Sequence, residues 1–76
     1  MIRVGMKVVD VAGARVGDVT DVRRTAFRIR RLDMEQMWLS EGAFLGPADG
    51  QVRLVCGSDR IERYRVEPPL LPTVNW

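Results

Sequence analysis

Three aspartates set among glycine turns, Asp10, Asp18 and Asp21, come nearest to a reaction centre in this chain. Their oxygens suit a hard cation such as magnesium or calcium. The loops lack calcium-ligand spacing, however, and an aspartate beside a glycine is by its own chemistry a turn former. Ser40 and Ser58 offer hydroxyls, but the sequence has no histidine and no lysine close to either, so the base that activates a hydroxyl nucleophile is missing. General acid and base work near neutral pH draws mostly on histidine or on a carboxylate with a displaced pKa. Cys56 is the single cysteine and histidine is absent, so an intrachain disulfide cannot form and the lone thiol has no companion with which to build a usual tetrahedral zinc set. It reads as a small apolar residue at a strand end. The string from Gly42 to Gly46 fits G-x-x-x-G, which carries no information outside a membrane span. A phosphate-binding loop and a dinucleotide fingerprint are both missing. The expectation is a protein that is not an enzyme and needs neither cofactor nor metal.

Charge and apolar surface leave two kinds of binding open. The net charge of +2 divides into +3 over residues 1–36 and −1 over residues 37–76. The excess is concentrated in Arg23, Arg24, Arg28, Arg30 and Arg31, with no acid between them. A planar guanidinium recognises carboxylate or phosphate through a fork of donors, so this cluster is the candidate nucleic-acid surface. Along the strand the aromatic interleaving is poor, because Phe27 alternates with Arg28 as a core residue would. Met34, Met37 and Trp38, with Leu70, Leu71 and Trp76 of the C-terminal tail, form the candidate partner surface. The competing account places Met37 and Trp38 in the core of a monomer.

These residues need elements to hold them. Met6 to Asp10 is a strand, and Asp10 to Ala14 is a turn in which Gly13 is free to take a positive φ. Arg15 to Arg24 returns as a second strand. Its valines at 16, 19 and 22 are spaced by three, which suits neither a regular strand nor a good helix. A bulge near Gly17 resolves this by letting Val16 and Val19 share a side and by bending the strand as barrel closure requires. Ala26 to Leu32 places Phe27 and Ile29 on one face and Arg28 and Arg30 on the other. Asp33 to Gln36 reads as a loop, Met37 to Leu39 as a further strand, Ser40 to Leu45 as an irregular stretch around Gly42, and Gly46 to Gly50 as a turn. Gln51 to Val55 alternates cleanly. The core so defined is Val8, Val16, Val19, Phe27, Ile29 and Leu54. After Gly57 two readings compete: a short helix capped by Ser58 or Asp59, with Glu62 completing a capping box and Ile61 and Tyr64 at helical spacing, or a last strand. The tail from Glu67, rich in proline, is extended.

The run Val4-Gly5-Met6-Lys7-Val8-Val9-Asp10, then Gly13, Val16-Gly17-Asp18-Val19 and Asp21-Val22, resembles the opening of PRC-barrel domains. Trp38-Leu39-Ser40, Phe44-Leu45 and Val52-Arg53-Leu54 resemble the same family's closing strands. The likeness covers roughly residues 2 to 66. Ala12 and Ala14 depart from it, at a turn where an acidic residue is common. It implies an interaction module without catalytic residues, since family members include a reaction-centre subunit and a part of a ribosome-maturation factor.

The expected architecture is therefore mainly β: a small antiparallel barrel of five or six strands over residues 1–66, with a possible short C-terminal helix and an extended tail over 67–76. A chain this short buries only about 60% of the surface its unfolded form exposes, and self-association is the remaining aid. The expected partner is a second copy, giving a homodimer, or another protein; nucleic acid is the second choice. With neither a signal sequence nor an apolar run of about 18 residues, the expectation is a cytoplasmic protein without a membrane span.

Overall fold

The computed structural model describes residues 2–48 and 50–68. Among these, seven strands form one curled sheet: β1 (Lys7–Val9), β2 (Arg15–Val22), β3 (Ala26–Arg31), β4 (Gln36–Ser40), β5 (Phe44–Ala48), β6 (Gln51–Leu54) and β7 (Arg65–Val66). Their order is β5-β6-β1-β2-β3-β4-β7. The mainly β, barrel-like architecture expected from the sequence is what forms, with a seventh strand and with one parallel pair, β1 on β6, among antiparallel ones. Two 3₁₀ turns, Glu41–Ala43 and Ser58–Tyr64, complete it. Val8, Val16, Val19, Phe27, Ile29 and Leu54 are all buried, joined by Met37, Leu39, Ala43, Val52 and Ile61.

The valine spacing of three comes from two bulges. Opposite β1, Val8 pairs with Gly17 and Val9 with Arg15, so Val16 is an extra residue in β2. Opposite β3, Val19 pairs with Ile29 and Asp21 with Arg28, so Thr20 is a second one. Each extra residue converts a period of two into three locally and sharpens the bend. Gly17 sits at the first bend, where β2 and β3 approach so closely that a Cβ there would fall on the Arg30 carbonyl oxygen. Gly13, at φ +91°, closes the preceding turn.

That turn is organised by Asp10, a carboxylate only 6% exposed. Its Oδ1 accepts from the amides of Ala12 and Ala14 at 2.9 Å each, and its Oδ2 from the Ser58 amide at 3.4 Å. The expected capping box is replaced by this long-range contact, because Gly57 occupies the cap position and has no side chain to offer. The segment after Gly57 is a 3₁₀ turn followed by the strand β7, so each of the two readings describes part of it. The turn presses Ile61 into the hydrophobic core, where it is 1% exposed. Gln36, read as loop, begins β4, and the stretch from Gly46 to Ala48, read as turn, belongs to β5.

Candidate functional site

Directly opposed residues of paired strands share a face. On the outer face, one row runs Asp21, Arg28, Trp38, Val66 across β2, β3, β4 and β7, and a second runs Asp18, Arg30, Gln36. The pairing of β3 with β4 thus places an aromatic ring beside the arginine strand. Trp38 is half-buried, and the guanidinium carbons of Arg23 and Arg28 both lie 5.7 Å from its ring centroid.

The five arginines do not form one surface. Arg23 follows β2 and donates to Asp21 Oδ1 at 2.6 Å. Arg28 donates from Nε to Thr20 Oγ1 at 3.0 Å, and that hydroxyl donates to the Arg28 carbonyl at 3.3 Å. Thr20, the second bulge residue, therefore orients Arg28. Arg30 lies 4.0 Å from Asp18, whose other oxygen pairs with Arg15 at 3.0 Å. Arg24 is exposed in the β2–β3 hairpin. Arg31 stands apart from that row: it shares the parity of Phe27 and Ile29, and at the end of β3 it lines a depression of about 200 Å³ with Arg15, Leu32, Asp33 and Ser58. Neighbouring residues of a strand point to opposite sides, so Arg30 and Arg31 cannot both join an outer row.

The partner surface divides in the same way. Met37, expected at that surface, is 2% exposed in the core beside Ile29, because the register of β4 on β3 turns it inward and Trp38 outward. Met34 stands 67% exposed in the β3–β4 turn, at φ +75°. Leu70, Leu71 and Trp76 lie outside the described residues. On the other side of Trp38 from Arg28 is a groove of about 490 Å³, lined by Gln36, Trp38, Glu62, Arg65, Val66 and Glu67 among others. Arg65 there pairs with Glu62 at 3.4 Å and Glu35 at 3.8 Å. A last strand is one of the two readings of this segment, but its place beside Trp38 is not legible in the sequence. A two-residue strand has no periodicity to detect, and only the apolar Val66 after a charged run marks it.

Asp10, Asp18 and Asp21 are each engaged separately, and among the described residues no three potential ligands gather into a metal-binding group. The amide of Ala14 leads in holding the Asp10 carboxyl below its ordinary value; burial opposes it, and the amides of Ala12, Ser58 and Gly13 reinforce it. Burial pushes the Cys56 thiol up, aided by the carboxylates of Asp59 and Asp10, which keeps it protonated at neutral pH. No helix among the described residues is long and apolar enough to cross a membrane. No family model matches the chain, and neither a curated protein nor a solved structure matches it.

Proposed function

We propose that this chain is a non-catalytic binding module of the PRC-barrel kind, cytoplasmic, with its contact surface on the outer face of β3, β4 and β7 around Trp38. The observation that carries this reading is the half-buried indole with guanidinium groups of Arg23 and Arg28 at 5.7 Å. Tryptophan and arginine dominate the energetic centres of protein interfaces. A guanidinium over an exposed ring gains about 0.5–1 kcal/mol, so these side chains are ordered before a partner arrives and less entropy is lost on binding. The positive φ of Gly13 and the close approach at Gly17 support the kinship, since they fall at the glycines that carry the resemblance. A free Cys56 suits a reducing compartment.

Trp38→Ala provides the test. The variant should keep the wild-type far-UV spectrum, because the ring lies outside the core, yet lose at least about tenfold in partner association, the scale of a hot-spot truncation. Affinity capture and sedimentation of both proteins measure this; equal association would end the reading.

A second reading, single-stranded nucleic acid, is favoured by the cross-strand neighbourhood of Arg28 and Trp38, which supplies the stacking ring that β3 itself lacks. Asp18 and Asp21 oppose it by pairing with Arg15, Arg23 and Arg30. Filter retention of a single-stranded RNA at low salt, falling steeply as salt rises, would support it.

A further inference from the structure

We infer that the occupant of the Trp38 face is a second copy of this chain, docked about a two-fold axis parallel to β4 and lying above its outer face. This deepens the binding-module reading and rests on it. Two charged groups flank Trp38 without a counter-charge among the described residues. Arg28, half-buried and oriented by Thr20, has no carboxylate within 4.0 Å, and Glu67, in the groove, has no cation within that distance. They lie on opposite sides: Arg28 is the register partner of Trp38 on β3, and Glu67 follows Val66, its partner on β7.

Neighbouring strands are about 4.8 Å apart, so Arg28 and the β7 side stand roughly equal distances from the line of β4. A two-fold rotation about an axis parallel to that line, passing above the outer face at the level of the Trp38 rings, sets one sheet face against the other and exchanges the two sides. Arg28 of each copy then meets Glu67 of the other, while the two Trp38 rings meet at the axis. Such an isologous contact needs one self-complementary patch, and this face offers one: with Asp21 paired to Arg23 and Arg65 paired to Glu35 and Glu62, Arg28 is the cation left on the β3 side and Glu67 the anion left on the β7 side, with the indole between. Half-buried Arg28 also gains most from a carboxylate that arrives with its own apolar surroundings.

The test is a charge exchange read by sedimentation velocity of the full chain. Wild type should run at twice the 8.6 kDa chain mass in low salt, and its association should weaken at least tenfold in about 1 M salt, where the screening length falls to about 3 Å. Arg28→Glu and Glu67→Arg should each be monomeric, since each sets like charges against one another twice. Mixed in equal amounts they should associate again, because both cross-contacts become attractive. Circular dichroism of each variant, and the recovery on mixing, guard against a folding defect.

A monomeric wild type would overturn the inference, as would charge variants that remain dimeric or a mixture that stays monomeric. A wild-type monomer whose chain 1–68 dimerises would assign the face to the tail instead. A wild-type monomer that captures another protein or RNA through Trp38 would overturn the second copy while leaving the binding module standing. A wild-type monomer indifferent to Trp38→Ala in every capture would remove both.

Discussion

Gly17 is confined to glycine from outside its own strand. Its φ is ordinary, but a Cβ would meet the Arg30 carbonyl oxygen, with the Arg31 Cα only 2.9 Å away, and backbone atoms cannot swing aside. Gly17→Ala should therefore cost about 3 kcal/mol or more, at the upper end of overpacking, as seen in a lower urea midpoint. Gly13→Ala tests the other mechanism, because nothing lies within 4 Å of its Cβ position and only the positive φ resists it; about 1–2 kcal/mol is expected. Asp10 makes a pH prediction. Its folded pKa lies below the unfolded value, so its contribution is fully present above the unfolded carboxylate range near 3.9 and is lost as pH falls through the folded pKa. Asp10→Asn should be less stable than wild type at neutral pH, and the gap in urea midpoint should narrow as pH falls towards 3. A gap independent of pH would mean that the carboxylate charge contributes nothing at this turn.

The elements differ in how far they can be read from residue order, and the reasons are physical. The alternation of Phe27 and Ile29 with Arg28 and Arg30 marks β3 and both its faces, because a strand half in the core and half in water carries its period in its own side chains. The valine spacing in β2 marks the bulge at Val16 but equally requires the one at Thr20, which explains why Val22 still packs on the core. In Met37-Trp38-Leu39 three apolar residues in succession hide the parity, and only the pairing with β3 decides that Trp38 faces outward. The parallel join of β1 to β6 and the short β7 are set by contacts distant in sequence, which local patterns do not record. Stability should follow the same division. Ile61 is the buried residue of the 3₁₀ turn that delivers β7, with Tyr64 packed beside the core, so Ile61→Ala should cost about 2–5 kcal/mol. Hydrogen exchange should show the Arg65–Val66 segment opening well before β2 and β3 in that variant. Uniform acceleration throughout the sheet would contradict a locally held β7.

At the scale of the whole molecule, β5 and β7 are the sheet edges among the described residues, and Trp38 lies on the outer face between Arg28 on β3 and the groove that holds Glu67. A domain of this size has little stability to spare, and a partner that binds only the folded form adds to it by mass action. If two folded chains associate through the Trp38 face, the transition becomes one from dimer to two unfolded chains, and its midpoint must rise with protein concentration. A tenfold increase in concentration is then worth about 0.7 kcal/mol per chain, half of the roughly 1.4 kcal/mol of a decade, which for a chain this short moves the midpoint by about 3–5 °C. Circular dichroism melts over a hundredfold range in low salt should show that slope. Trp38→Ala should melt at a temperature independent of concentration, because it removes the aromatic centre of the contact without entering the core. The wild-type slope should also flatten in high salt, since the exchanged pairs of Arg28 and Glu67 are screened there while the buried valines are not. A concentration-dependent midpoint that survives both Trp38→Ala and high salt would place the contact on another surface, with the β5 edge the next to examine.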